Sequence, residues 1–137
     1  MARIRVLIAD HNPAIRQTLV ELLQENCEIV ATVEDGQAIF DVLGGIHPDV
    51  ILLGVAFSRT TGFEIARRLR QSGCQAKVII ISLHESRDLV RAALATGASG
   101  YVFISRLLDD LPAAIHAVCE GQVFTPGLSD SEAERLG

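Results

Sequence analysis

The chain has 137 residues, 49% of them apolar and 21% charged, a balance that suits one packed domain and excludes a disordered tail protein. A chain of this length can bury roughly two-thirds of its unfolded surface. Twelve basic against seventeen acidic residues give a formal charge of -5 with no basic cluster, so this segment by itself is not expected to bind nucleic acid, which needs a positive face against phosphates.

The first stretch, MARIRVLIAD, holds an apolar run too brief for a signal peptide or for a membrane span of roughly 20 residues, so a soluble cytoplasmic protein is expected. Its β-branched core predicts a strand from Arg3 to Ala9, ended by Asp10. A helix follows on Ile15, Leu19, Leu22 and Leu23, with Pro13 just inside its start and His11 or Asn12 as its cap. Glu28 to Val33 reads as a second strand; Asp35 before Gly36 can cap a helix on Ile39, Val42 and Leu43. Val50 to Leu53 is a third strand, followed by Gly54, and Thr60 or Thr61 can cap a helix carrying Ile65 and Leu69. Lys77 to Ser82 is a fourth strand, and Ser86 opens a helix on Leu89, Ala93 and Leu94. Gly100 to Phe103 is a fifth, before a helix on Leu111, Ile115 and Val118. Proline breaks helix interiors, so that last helix is expected to start near Asp109 or Asp110 with Pro112 in its first turn. Gly44 with Gly45, Gly73, Gly97 and Gly121 follow helix ends, where a left-handed residue stops the chain.

Strands apolar almost throughout are strands covered on both faces. Strand then helix, five times, predicts a parallel sheet with right-handed crossovers. A single domain over residues 1–122 is the simple division, with the polar 123–137, containing Pro126 and Gly127, as linker or tail. Cys27, Cys74 and Cys119 are odd in number and widely spaced, each in a predicted helix or loop, and read as reduced thiols without disulfide or metal roles.

VLIADHNPAIRQTLVELL, HPDVILLGVAFSRTTGFEIARRLR, KVIIISLHE and ALATGASGYVFIS together resemble the receiver domain of bacterial two-component response regulators, in the subgroup carried by NarL/LuxR-type transcription factors. The resemblance covers roughly residues 3–122. It implies an α/β, flavodoxin-like (CheY-like), doubly wound five-stranded parallel sheet of order 2-1-3-4-5, with its site at the carboxyl ends of strands one, three and four.

In that family the site transfers a phosphoryl group. An aspartate ending the third strand is the nucleophile, two acids after the first strand help hold Mg²⁺, and a Ser or Thr and a Lys contact the phosphoryl oxygens. Mg²⁺ wants hard oxygen ligands, and the phosphoryl group then needs cations and donors around it. Here the first acid is kept as Asp10, while the second falls on His11, a nitrogen ligand that Mg²⁺ does not favour. The phosphoacceptor position is Gly54, with no side chain to attack a donor. Ser82 keeps the hydroxyl, Ile104 replaces the lysine, and Tyr101 keeps the switch aromatic. The usual Met-Pro-Gly-like turn after strand three reads Phe57, Ser58, Arg59, and Asp49 and Asp41 lie in the wrong places to substitute. No catalytic residue, no metal site and no cofactor are therefore expected.

Plainer roles stand beside these. Asp10 could cap the first helix turn, Ser82 could be a strand-end hydrogen-bond donor, and His11 and His84 could be exposed loop residues rather than a metal or anion site with Asp10. Tyr101 could be a partly buried aromatic or a contact for partners, and Arg67, Arg68 and Arg70 a solvated face. The leading reading is a non-phosphorylatable receiver, a homodimerisation and signalling module for a helix-turn-helix output that lies C-terminal or in a partner, not an enzyme and not bound to membrane. The alternative is a small-molecule-sensing pseudo-receiver whose altered pocket binds a metabolite. A flavin or nucleotide enzyme on the same fold would need a phosphate-cradling glycine loop after strand one, where HNPAIR stands instead.

Overall fold

Alternation of strand and helix is realised in full in the computed structural model, which describes residues 3–127. In chain order the elements are β1 (Ile4–Ala9), α1 (Pro13–Leu23), β2 (Cys27–Val33), α2 (Gly36–Leu43), β3 (Val50–Gly54), α3 (Gly62–Gln71), β4 (Lys77–Ser82), α4 (Arg87–Ala95), β5 (Gly100–Phe103) and α5 (Leu107–Cys119), with a 3-10 turn at Ile104–Arg106 before α5. The five strands form one parallel sheet of order β2-β1-β3-β4-β5, the doubly wound arrangement expected.

Period-two alternation along the strands divides the core into two layers. Val6, Ile8, Val50, Leu52, Ile79 and Val102 meet Leu19 of α1 and Leu111, Ile115 and Val118 of α5. Leu7, Ile51, Leu53, Ile80, Tyr101 and Phe103 point the other way, onto Ile39 of α2, Ile65 and Leu69 of α3, and Val90 and Ala93 of α4. Every residue of β3 is buried, as a central strand covered on both faces requires. Truncating one of its leucines to alanine costs about 2–5 kcal/mol.

Helix starts follow the caps read from the sequence, with the open alternatives resolved. Asn12, not His11, caps α1, its side chain accepting from the amides of Ala14 (2.8 Å) and Ile15 (3.4 Å), with Pro13 as the first helical residue. Asp35 caps α2, Thr61 rather than Thr60 caps α3, and Ser86 caps α4.

Several expectations are corrected. α5 begins at Leu107, not at Asp109 or Asp110, so Pro112 lies inside it. The amide that Pro112 lacks would have served the carbonyl of Leu108, a residue 76% exposed, so the gap falls on the wet side of the helix. Gly73, Gly97 and Gly121 are left-handed (φ 81°, 105° and 83°), whereas Gly44 ends α2 at φ -64° and Gly45 has no positive φ. At the end of α2 the Val42 carbonyl instead accepts from the amides of both Gly45 and Ile46, and the Asp41 carbonyl from the Gly44 amide. Cys27 opens β2 and is buried, not in a helix or loop. Beyond α5 the described chain continues alongside the sheet: Phe124 bridges Gly100 in parallel and packs on the α5-side core, and Pro126 is buried. Residues 128–137 of the expected tail lie outside the described residues.

Candidate functional site

Strand register sets the site. Ala9 pairs with Leu53, Gly54 with Ile81 and Ser82 with Phe103, so Asp10, Gly54, Ser82 and Ile104 end up side by side at the carboxyl edge of the sheet. β1 and β3 lie at the topological switch point, since α1 covers one face and α2 and α3 the other.

Asp10 is 8% exposed. Its Oδ1 accepts from the Asn12 amide at 2.8 Å, so it braces the turn before α1 rather than capping the helix itself. The rest of the carboxylate lies over Gly54: a Cβ at residue 54 would sit 2.8 Å from Asp10 Cγ, closer than real Cβ contacts come. Burial pushes the Asp10 carboxyl above its ordinary pKa, opposed by the Asn12 amide and by the charges of Arg16 and His11. Arg16 donates to the backbone carbonyls of Asp10 (2.7 Å) and His11 (3.3 Å) and lies 3.9 Å from Glu34. The sequence reading missed Arg16; its only signal there is a cation one turn into the helix that leaves the site.

After Gly54 the chain turns back tightly. Ala56 bridges Thr61, the Phe57 amide donates to the Thr60 carbonyl at 3.2 Å, and the Gly62 amide to the Val55 carbonyl at 2.7 Å. This draws the start of α3 so close that a side chain on Gly62 would run into the Gly54 carbonyl. Gly62 is a second residue that sequence reasoning passed over, hidden as an ordinary glycine next to a capping threonine.

Ser82 is buried; its Oγ accepts from the His84 amide at 2.9 Å, and its side chain also hydrogen-bonds the Tyr101 hydroxyl. Tyr101, thought partly buried, is 0% exposed. Its hydroxyl donates to the His84 carbonyl at 3.2 Å and its ring meets Phe103 edge-on at 5.7 Å. Burial raises the Tyr101 pKa, with hydrogen bonding to Ser82 opposing. Ile104 is half-buried at the start of the 3-10 turn and packs on the α1–α5 side.

His11 and His84 are exposed, and among the described residues no group of three or more His, Cys, Asp and Glu side chains could hold a metal ion. Asp49 lies at the opposite edge of the sheet, accepting from the Arg5 amide at 2.8 Å, and Asp41 is bonded to Gln37 on α2. Of the basic run on α3, Arg67 pairs with Glu64 at 2.9 Å and Arg68 stacks 4.3 Å over the Phe40 ring.

Comparison with known proteins agrees with this geometry. The chain is 31% identical over 124 residues to the transcriptional regulatory protein DegU of Brevibacillus brevis, covering 89% of this chain and 52% of that protein. It is 29% identical over 131 residues to a nitrate/nitrite response regulator protein homolog of Haemophilus influenzae, covering 94% and 62%. The chain thus spans about half to three-fifths of the curated relatives it matches. Among solved structures, a LuxR-family two-component response regulator from Aurantimonas sp. SI85-9A1 superposes with a TM-score of 0.86 at 24% identity, over 99% of this chain and 100% of that one. The receiver domain of the putative response regulator NarL from Mycobacterium tuberculosis gives 0.82 at 25%, over 89% and 100%. Residues 6–116, which span β1 to α5 and contain every site position described above, match the response regulator receiver domain, and the chain belongs to that family.

Proposed function

We propose that this receiver domain works without aspartyl phosphorylation, as a cytoplasmic signalling and homodimerisation module that controls a DNA-binding transcriptional output. The observation that carries the reading is the pair Asp10 and Gly54: the acceptor position has no side chain, and a neighbouring carboxylate fills the space where one would begin. The residues present do not fit Mg²⁺. They offer one carboxylate, buried and folded over a glycine, with a histidine and a backbone position where further hard oxygens are needed. Ile104 in place of a cation removes the partner of a phosphoryl group as well. Losing nucleophile, metal acid and phosphate cation together leaves no route for the transfer, since each alone costs on the order of hundredfold or more.

The transcriptional output rests on the relatives, whose names describe transcriptional regulators and which extend well beyond the length matched here. The output unit is a helix-turn-helix, carried C-terminal to this domain or by a partner chain. Among the described residues no helix is long and apolar enough to cross a membrane, in keeping with a cytoplasmic setting. Two measurements test the reading. Intact mass after incubation with acetyl phosphate and Mg²⁺ should be unchanged, and a gain of one phosphoryl group overturns it. Light scattering should give a concentration-dependent dimer indifferent to the phosphodonor, and dimerisation induced by the donor counts equally against it.

A further inference from the structure

At the amino end of the sheet, opposite the edge that carries Asp10 and Gly54, the loops leave a groove of about 910 Å³. It adjoins the starts of β1, β3 and β4 and is walled by the end of α2, the loop from α2 to β3, the loop from α3 to β4 and the last residue of α5. Much of its lining is apolar. Ile4, Leu43, Ile46 and Ala76 are only partly covered by the rest of the protein, and Pro48 is buried. Gly73, left-handed at φ 81°, keeps one wall clear, since a Cβ there would meet nothing within 4 Å.

Main-chain bonds fix these walls before any ligand arrives. The Asp49 amide donates to the Arg5 carbonyl at 2.8 Å and the Lys77 amide to the Asp49 carbonyl at 2.9 Å, while Ile46 is bonded to Val42 and Cys74 to Leu69. A preformed, largely apolar concavity of roughly 300–1,000 Å³ is the usual form of a small-molecule site.

Charge sets the class of ligand. Of the residues lining the groove, Lys77 alone carries a permanent positive charge. It is exposed, and among the described residues no hydrogen bond or ion pair engages its ammonium. The acid that shares the groove, Asp49, is committed to the Arg5 amide, which it accepts at 2.8 Å. A second cation stands close by, since the Arg68 guanidinium lies 4.3 Å over the ring of Phe40, itself part of the lining. The geometry points to a binding site for a monocarboxylic acid with a medium-length alkyl chain, its carboxylate on Lys77 and its chain along Ile4, Leu43 and Ile46. Such a ligand joins the start of β1 to two loops at once and stabilises the folded chain by ordinary linkage. The site shares no residue with the carboxyl edge, so it stands whether or not that edge takes a phosphoryl group.

Octanoate titrated into the isotopically labelled full chain, with amide shifts followed by NMR, tests it. The amides of Ile46, His47 and Asp49 and those of Cys74 to Lys77 should move together and saturably, while Asp10, Gly54 and Ser82 stay in place. Butanoate, with four methylenes fewer to bury, should bind at least about tenfold more weakly. Lys77→Gln should weaken octanoate about fivefold, as loss of an exposed ion pair does, and Lys77→Arg should restore it. Both variants keep the main-chain bond to Asp49, and unchanged amide positions at Leu7 and Leu52 check that the sheet is intact. The inference is overturned if no saturable shift appears or the shifts fall outside the groove, if butanoate binds as well as octanoate, or if Lys77→Gln binds octanoate like the parent. Octylamine, a cation on the same chain, binding the groove as tightly as octanoate overturns it too.

Discussion

The Asp10 carboxylate and Gly54 share one space: a Cβ at residue 54 would stand 2.8 Å from Asp10 Cγ, so any side chain there must push the acid aside. Gly54→Ala should therefore destabilise the fold by about 1–3 kcal/mol, the usual range for overpacking a closed site. The loss should shrink toward zero when Asp10 is also replaced by glycine, because the obstacle is then gone. Urea denaturation of the two single variants and the double variant measures the coupling. Additive losses would mean that the two residues do not compete for that space.

Asp10 also gives a pH signature. Its folded pKa is raised above the ordinary 3.8 chiefly by burial, so between those two values the folded state holds more proton than the unfolded one. Stability from this group is then greatest below the unfolded pKa and falls as pH rises through the folded pKa. Asp10→Asn keeps an acceptor for the Asn12 amide and removes the ionisable proton. The variant should melt above the parent protein at pH 7, with the gap closing as pH is lowered toward 4. A gap constant across that range would place the burial penalty elsewhere.

Much of this was legible in the sequence. The apolar runs and the helix caps are local signals, and the β2-β1-β3-β4-β5 order followed once the family resemblance had been added to them. What escaped depends on contacts that no local pattern records. Gly62 is indispensable only because β3 and α3 meet at the Gly54 carbonyl, and Arg16 matters only because α1 folds back over β1. The start of α5 departs from the rule that proline breaks helix interiors, because the exposure of Leu108, which makes the missing bond tolerable, is a tertiary fact. Tyr101 was placed at an edge by its strand, yet the β4–α4 loop and the segment carrying Phe124 close over it.

The entry into α1 rests on one side chain. Asn12 accepts from two amides that have no partner in the helix, and Pro13 removes a third donor at that end. Asn12→Ala should cost about 1 kcal/mol, and Asn12→Asp or Asn12→Ser should recover most of it. The same denaturation assay decides, and an alanine variant as stable as the parent would show that Asp10 and Arg16 hold the turn without the cap.

Two glycines that look alike in the sequence should behave in opposite ways. Gly62 begins α3 with the Gly54 carbonyl directly over the place of its missing side chain, and its own amide is bonded to the Val55 carbonyl, so neither backbone can yield easily. Gly62→Ala should cost about 3 kcal/mol or more, at the upper end of overpacking because the obstacle is main chain. Gly45 has no heavy atom within 4 Å of such a position and no positive φ. Gly45→Ala should be neutral or stabilising by about 0.4–1 kcal/mol, since alanine narrows the unfolded ensemble without strain. Equal effects in the two variants would mean that the backbone of α3 can slide away from β3, and that the tight turn after Gly54 is not what holds the third helix against the site.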